Sequence, residues 1–313
     1  MYTIIKKLLT IIISLSFVSC FGQSENEYAI ETSDITNFWI AFDSIKNTED
    51  KAKVFKELYH NKASKLFKEQ LDISPDMQDI RTYLQSFEQY PKFWESLRKP
   101  TMDMHGISKN IQACYDKVEN IYPKFKPGNV CVFLTPMVFQ GRVHEGKTIL
   151  MAAEMNAPLS EIDLSEFEED MSFIYVNNIQ STIIHETIHL QQKYEAKNVL
   201  SACIKEGSAD FLAELFYGQP FKSPAYDYGR KNESKLWTEF SKELSSEDWS
   251  KWLYGASETD KRPMDTGYFM DYMITKSYYE KAKDKNQAIK QIIEITDFNQ
   301  FLKDSGYITK LKK

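Results

Sequence analysis

The chain has 313 residues, enough to bury a full hydrophobic core as one large domain or two small ones. A hydrophobic content of 42% with 27% charged residues excludes a disordered chain. The formal net charge of −6, without basic clusters, argues against nucleic acid or an anionic membrane surface as a partner.

The N-terminus reads as an export signal. Lys6 and Lys7 precede an apolar-rich run, Leu8 to Val18, which ends at Ser19-Cys20. A charged start, a short apolar stretch and a small residue before the break form a signal peptide. The run would rise only about 16 Å as a helix, too little to cross a bilayer. Phe17-Val18-Ser19-Cys20 resembles a bacterial lipobox in which Cys20 is lipidated, although Phe17 stands where Leu is usual. Residues 1–19 are then the signal peptide, and the polar residues 20–33 a tether. Loss of Lys6 and Lys7 takes the formal charge to −8. The expectation is an exported lipoprotein at the outer membrane or cell surface, touching the membrane only through its lipid. Cleavage near Gly22-Gln23 would instead leave it periplasmic or secreted. Cys114, Cys131 and Cys203 are too widely spaced for a disulfide framework and read as buried thiols, with a single bridge as the alternative in an oxidising compartment.

Residues 34–125 carry a helical pattern: Phe38, Ala41, Phe42 and Ile45 recur at three- and four-residue steps, as do Phe55, Leu58 and Tyr59. Pro75, Pro91 and Pro100 divide this region into short helices. After the turn at Pro127-Gly128 the period changes. Val130 to Leu134 and Thr148 to Ala152 read as strands separated by a Gly-containing segment, 141–147, with Phe173 to Val176 a weaker third strand. From Asn178 the chain is helical almost to its end, with loops around 218–231 and 255–266. The expected fold is α+β and mostly helical, with a small antiparallel or mixed sheet beside the helix at residue 185. Residues 126–313 form the candidate catalytic region.

His185-Glu186-Thr187-Ile188-His189 carries the chemistry. Four residues advance a helix by about 400°, so both imidazoles lie one turn apart on one face, ready to share a tetrahedral ion. Glu186 is rotated by about 100°, so it misses the ion yet can reach a water beside it. Asn177 or Asn178 can cap this helix.

A hydrolytic zinc needs three protein ligands and one open position. Gln192 and Glu195 occupy the places where a metzincin-like site needs Gly and His. Glu195 falls about 80° off the ligand face of a continuing helix. Glu206 is the better third ligand, on a helical run from Val199 to about Tyr217. Asp210 lies one turn beyond it, suited to receive an imidazole N–H, with His185 the favoured donor. Gly207 costs about 1 kcal/mol inside a helix, which close approach of two helices beside the metal would explain.

These residues carry a resemblance. His-Glu-x-x-His followed on the next helix by Glu-x-x-x-Asp looks like the gluzincin arrangement of thermolysin-like peptidases. The segments His185 to Gln192, Lys205 to Phe211, Arg262 to Tyr268, Asn37-Phe38-Trp39 and Phe301 to Tyr307 resemble a family of predicted zinc-dependent proteases found as bacterial exported lipoproteins. Asp271 departs from it, standing where such proteins tend to have Gly in a second Gly-Tyr pair. The resemblance implies one zinc per chain, a peptide or protein substrate, a water activated by the zinc, and Glu186 as general base. Tyr268 is the first choice of oxyanion donor, with Arg262 and His144 as weaker substrate-site candidates. Independently of the resemblance, the strand at Thr148 to Ala152 allows two readings, an edge on which an extended peptide adds or a buried strand. A zinc hydrolase of other amides or esters, and a binding protein with a vestigial metal, are the alternatives.

Overall fold

A computed structural model describes residues 28–168, 178–255 and 262–311. The signal segment, Cys20 and the strand expected at Phe173 to Val176 lie outside them. Among the described residues eight α-helices precede the sheet proper: α1 (Ser33–Ser44), α2 (Lys51–Leu58), α3 (Lys65–Leu71), α4 (Pro75–Gln78), α5 (Ile80–Gln89), α6 (Pro91–Ser96), α7 (Arg98–Asp103) and α8 (Ser108–Ile121). Pro75 and Pro91 start α4 and α6, where a missing N–H costs nothing. The layer condenses on aromatic rings. Phe38 packs against Phe55, Tyr59, Phe87 and Trp94 at 5.2–5.8 Å between centroids. Offset and edge-on ring pairs of this kind stabilise beyond their buried area, by roughly 0.5–1.5 kcal/mol each.

The sheet is mixed. β1 (Ile30–Glu31), β2 (Asn129–Phe133), β3 (Gly141–His144) and β4 (Thr148–Ala152) stand in the order β1-β2-β4-β3. β1 and β4 run parallel to β2, with Val130 opposite both Ile30 and Ile149. β3 runs antiparallel to β4, with Gly141 opposite Met151. Tyr59 ties the helical layer to the end of β2, donating to the Leu134 carbonyl at 2.6 Å and accepting from its N–H at 3.0 Å.

Two expectations change here. Ile30 and Glu31, within the stretch expected as a tether, pair with β2, and α1 starts at Ser33. Residues 141–144 are a strand; Gly-Arg-Val-His lacks an apolar alternation, and pairing with buried β4 decides its state. For Thr148 to Ala152 the buried reading holds, because β4 lies between β2 and β3; β1 and β3 are the edges among the described residues.

Beyond the sheet come α9 (Ile179–Gln191), α10 (Val199–Tyr217), α11 (Pro224–Glu243), α12 (Thr266–Lys281), α13 (Lys285–Ile293), α14 (Phe298–Ser305) and α15 (Tyr307–Leu311). The loop expected at 218–231 is shorter, because Ser223 accepts from the Tyr226 N–H and Pro224 starts α11. α9 packs on β3 and β4, α10 on α9, and α12 on both α10 and α11. Among the described residues the fold is thus α+β and mostly helical. Cys114, Cys131 and Cys203 are buried free thiols.

Candidate metal centre and its cleft

Two helices supply the donors. Asn178 caps α9 by accepting from the Ser181 N–H at 2.9 Å, and Ile183, Ile184 and Ile188 are fully buried. The apolar flank anchors α9, leaving His185 and His189 toward α10. Asn198 and Ser201 form a reciprocal cap that starts α10, seven residues beyond α9. Glu206 then faces both histidines. His185 Nε2 and His189 Nε2 are 2.9 Å apart, and Glu206 Oε2 lies 3.6 and 3.2 Å from them. Among the described residues this is the group of His, Cys, Asp or Glu side chains able to hold a metal ion.

Hydrogen bonding behind the rings fixes what faces inward. His185 Nδ1 lies 2.7 Å from Asp210 Oδ1 and must donate, because a carboxylate only accepts. His189 Nδ1 lies 2.7 Å from Gln192 Oε1. The Gln192 amide is oriented by its own NH2, which donates to the Lys205 carbonyl and the Ser208 hydroxyl, both at 3.0 Å. His189 Nδ1 therefore donates as well. Two Nε2 lone pairs and one carboxylate oxygen are left pointing at each other. Such a trio needs a proton or a cation among its members.

The acid–base balance shows the same demand. Burial opposes charge on His185, but Asp210 and Glu206 outweigh it and hold the imidazole well above its usual range. Burial likewise opposes ionisation of Glu206, yet His189 and His185 hold it well below the carboxylate range. Imidazole and carboxylate are both good zinc ligands, and three of them leave a fourth position open. The residues present fit a zinc ion.

Asp210 is itself held. It is 3% exposed, and its second oxygen accepts from the Tyr226 hydroxyl of α11 at 2.6 Å. A chain of bonds from Tyr226 through Asp210 to His185 fixes the ring's tautomer and direction. Asp210→Asn keeps the shape but weakens that hold, so zinc affinity should fall by about 10- to 100-fold with no ligand removed. Competition with a chelating dye measures this, and an unchanged affinity would refute the role.

α12 closes the site because Gly207 lets it. A Cβ at residue 207 would stand 2.5 Å from the Tyr268 carbonyl and the Tyr272 N–H, and 2.8 Å from Asp271 Cβ. The close approach expected of Gly207 is thus between α10 and α12, with α9 not involved. Gly207→Ala should destabilise the fold by about 1–3 kcal/mol, since overpacking outweighs the gain in helix propensity. Urea unfolding measures it; a variant as stable as the wild type would mean that α12 moves aside freely. Asp271 occupies the facing position as a buried carboxyl, which burial holds well above its usual range. Tyr272 points elsewhere, donating to Glu214 at 2.8 Å.

The approach of α12 sets the Tyr268 ring 6.4 Å from that of His185, nearly parallel to it. Burial first, then Glu206 and Asp210, push its phenol well above the usual range. Tyr268, His185, Glu186 and Asp210 line one cleft of about 700 Å³. Gln140, Gly141 and Thr182 form one wall of residues, and Phe221 to Tyr226 with Pro263 to Asp265 the others.

The sequence pattern of the family described as "Predicted Zn-dependent protease (DUF2268)" matches residues 110–298. The chain belongs to this family. No curated protein and no solved structure matches it. The stretch shared with the Zn-dependent protease family contains the trio, Glu186, Asp210 and Tyr268.

Two candidates fall outside the cleft. Arg262 is buried against Trp252, its guanidinium carbon 4.8 Å from the ring centroid, and donates to the Lys251 carbonyl. His144 sits opposite Thr148, at the other end of β3 from Gly141, 3.7 Å from the Glu145 carboxylate. α9 also stops at Gln191, against the expectation that it continues. The Gln191 amide grips Lys126, accepting from its N–H and donating to its carbonyl, both at 3.0 Å. Gln192 then leaves the helix toward α10 with ψ at 105°. Glu195 lines a separate cleft with Tyr122 and Lys193.

Gln192 and Tyr226 hold side chains of the candidate site and were not foreseen from the sequence. Gln192 carried a signal, since a polar residue three positions past a metal-binding His can reach its ring. Tyr226 carried none, because α11 meets Asp210 only in the folded chain.

Proposed function

We propose that the chain is a zinc metallopeptidase of gluzincin type, holding one zinc on His185, His189 and Glu206. The observation that supports this best is the convergence of three lone-pair donors whose outer N–H groups are already committed to Asp210 and Gln192. A zinc ion bound there supplies Lewis acidity, polarising a carbonyl and making water a stronger acid.

The chain's own residues do the rest. Glu186 follows His185 directly and lines the same cleft, so its carboxylate takes a proton from the attacking water and returns it to the departing amine. Tyr268, neutral over His185, donates its O–H toward the developing oxyanion. Asp210 and Gln192 hold the imidazoles in the tautomers that leave Nε2 free. Gly141 brings β3, one of the two edge strands among the described residues, to the cleft wall, where an extended peptide can align along it.

The test is a broad peptide library with the purified protein, alongside metal analysis. Cleavage should need zinc, stop with a chelator and return when zinc is restored, at one zinc per chain. A protein that holds zinc and cuts no peptide would overturn this reading, pointing to other amides or esters or to a binding role.

A further inference from the structure

We propose that Asp265 selects the substrate, taking the cationic head of a Lys or Arg side chain next to the bond that is cut. This inference rests on the peptidase reading and names its substrate class. Asp265 stands at the N-cap of α12, where an Asp side chain normally accepts from the first-turn N–H groups. Here it makes no such bond, and its backbone takes φ 64° and ψ 19°, a region few residues other than Gly adopt. Its side chain lines the cleft instead, one turn from Tyr268, whose N–H bonds to the Asp265 carbonyl at 3.0 Å.

Among the carboxylates that line the cleft, Asp210 spends its oxygens on His185 and Tyr226, and Glu186 has the proton to carry. The Asp265 carboxylate accepts no hydrogen bond and forms no ion pair among the described residues, although the residue is partly buried. Lys222, on the same cleft, has a partner of its own. A partly desolvated carboxylate without a counter-charge is costly, and an incoming cation relieves that cost.

The surroundings point to a long side chain. Met264, beside Asp265, lines the cleft and is 41% exposed. A thioether suits the methylene stem of Lys or Arg, while the carboxylate meets its head. A free α-amino group has the same charge but no stem.

The experiment uses N-acetylated peptides that differ at one residue: Lys, Arg, norleucine or Glu. The zinc-loaded protein should prefer Lys or Arg to norleucine by at least about tenfold in kcat/KM, mostly through KM. Asp265→Asn should bring that ratio near one, and Asp265→Lys should shift preference to Glu. The same peptides titrated calorimetrically onto Glu186→Gln protein should show the same order of Kd. A wild-type ratio near one, or a ratio unchanged in Asp265→Asn, overturns the inference. A preference that follows an unblocked amino terminus overturns the side-chain assignment. If no peptide is cut, the peptidase reading fails by itself. The calorimetric order on Glu186→Gln then still upholds or overturns Asp265.

Discussion

Glu186→Gln should keep its zinc and its fold and lose hydrolysis. Gln is nearly isosteric with Glu, so the cleft stays filled, but its amide has no basic oxygen to accept a proton from water. Removing a positioned general base costs about 10²- to 10⁴-fold in rate. None of the bonds that hold the trio involves Glu186. Asp210 and Gln192 carry the imidazoles, so metal content should not change. Tyr268→Phe tests a different contribution and should be milder, since one oxyanion donor is worth about 3 kcal/mol and zinc remains to polarise the carbonyl. The informative result is the order: Glu186 more damaging than Tyr268, with one zinc per chain in both. Equal turnover by wild type and Glu186→Gln, with a chelator as control, would overturn the enzyme reading.

The parts of the site that lie within one helix were legible in the sequence, because helix geometry alone sets their spacing. His185 and His189 at four residues, and Glu206 and Asp210 at four residues, need only a 3.6-residue turn to share a face. Parts that depend on where a helix stops or what crosses it were not. Gln192 reaches His189 only because α9 ends at Gln191, and that ending rests on a grip between Gln191 and Lys126, 65 positions apart. Tyr226 and Gly207 act through α11 and α12, which pack on the site from later in the chain. Arg262, a weaker substrate-site candidate, lies outside the cleft for a related reason. Trp252 offers a ring face and the Lys251 carbonyl an acceptor, which draw it inward.

The sheet divides in the same way. Val130 to Leu134 and Thr148 to Ala152 announce themselves as apolar β-prone runs and are almost fully buried. β3 and β1 have no such pattern; they are strands because a buried neighbour supplies hydrogen-bonding partners along one edge.

Glu206→Ala should empty the metal centre while leaving the chain folded. The two imidazoles would remain fixed by Asp210 and Gln192, but a pair of neutral donors neither neutralises a divalent charge nor completes a tetrahedral set. Zinc affinity should drop beyond the 10- to 100-fold expected of Asp210→Asn, roughly to the level where dialysed protein carries no metal. The fold should survive, because among the described residues the Glu206 carboxylate bonds only to the two histidines and caps no helix. Removing it also relieves part of the push on His185, whose raised affinity for a proton owes less to Glu206 than to Asp210. Thermal unfolding gives a second readout. A ligand that binds only the native state stabilises it by about 2.7 kcal/mol at a hundred times its Kd, so added zinc should raise the wild-type Tm. The Glu206→Ala Tm should not respond over the same range. Full occupancy in that variant, or a zinc-dependent Tm equal to the wild type's, would remove Glu206 from the ligand set and move the third donor elsewhere in the cleft.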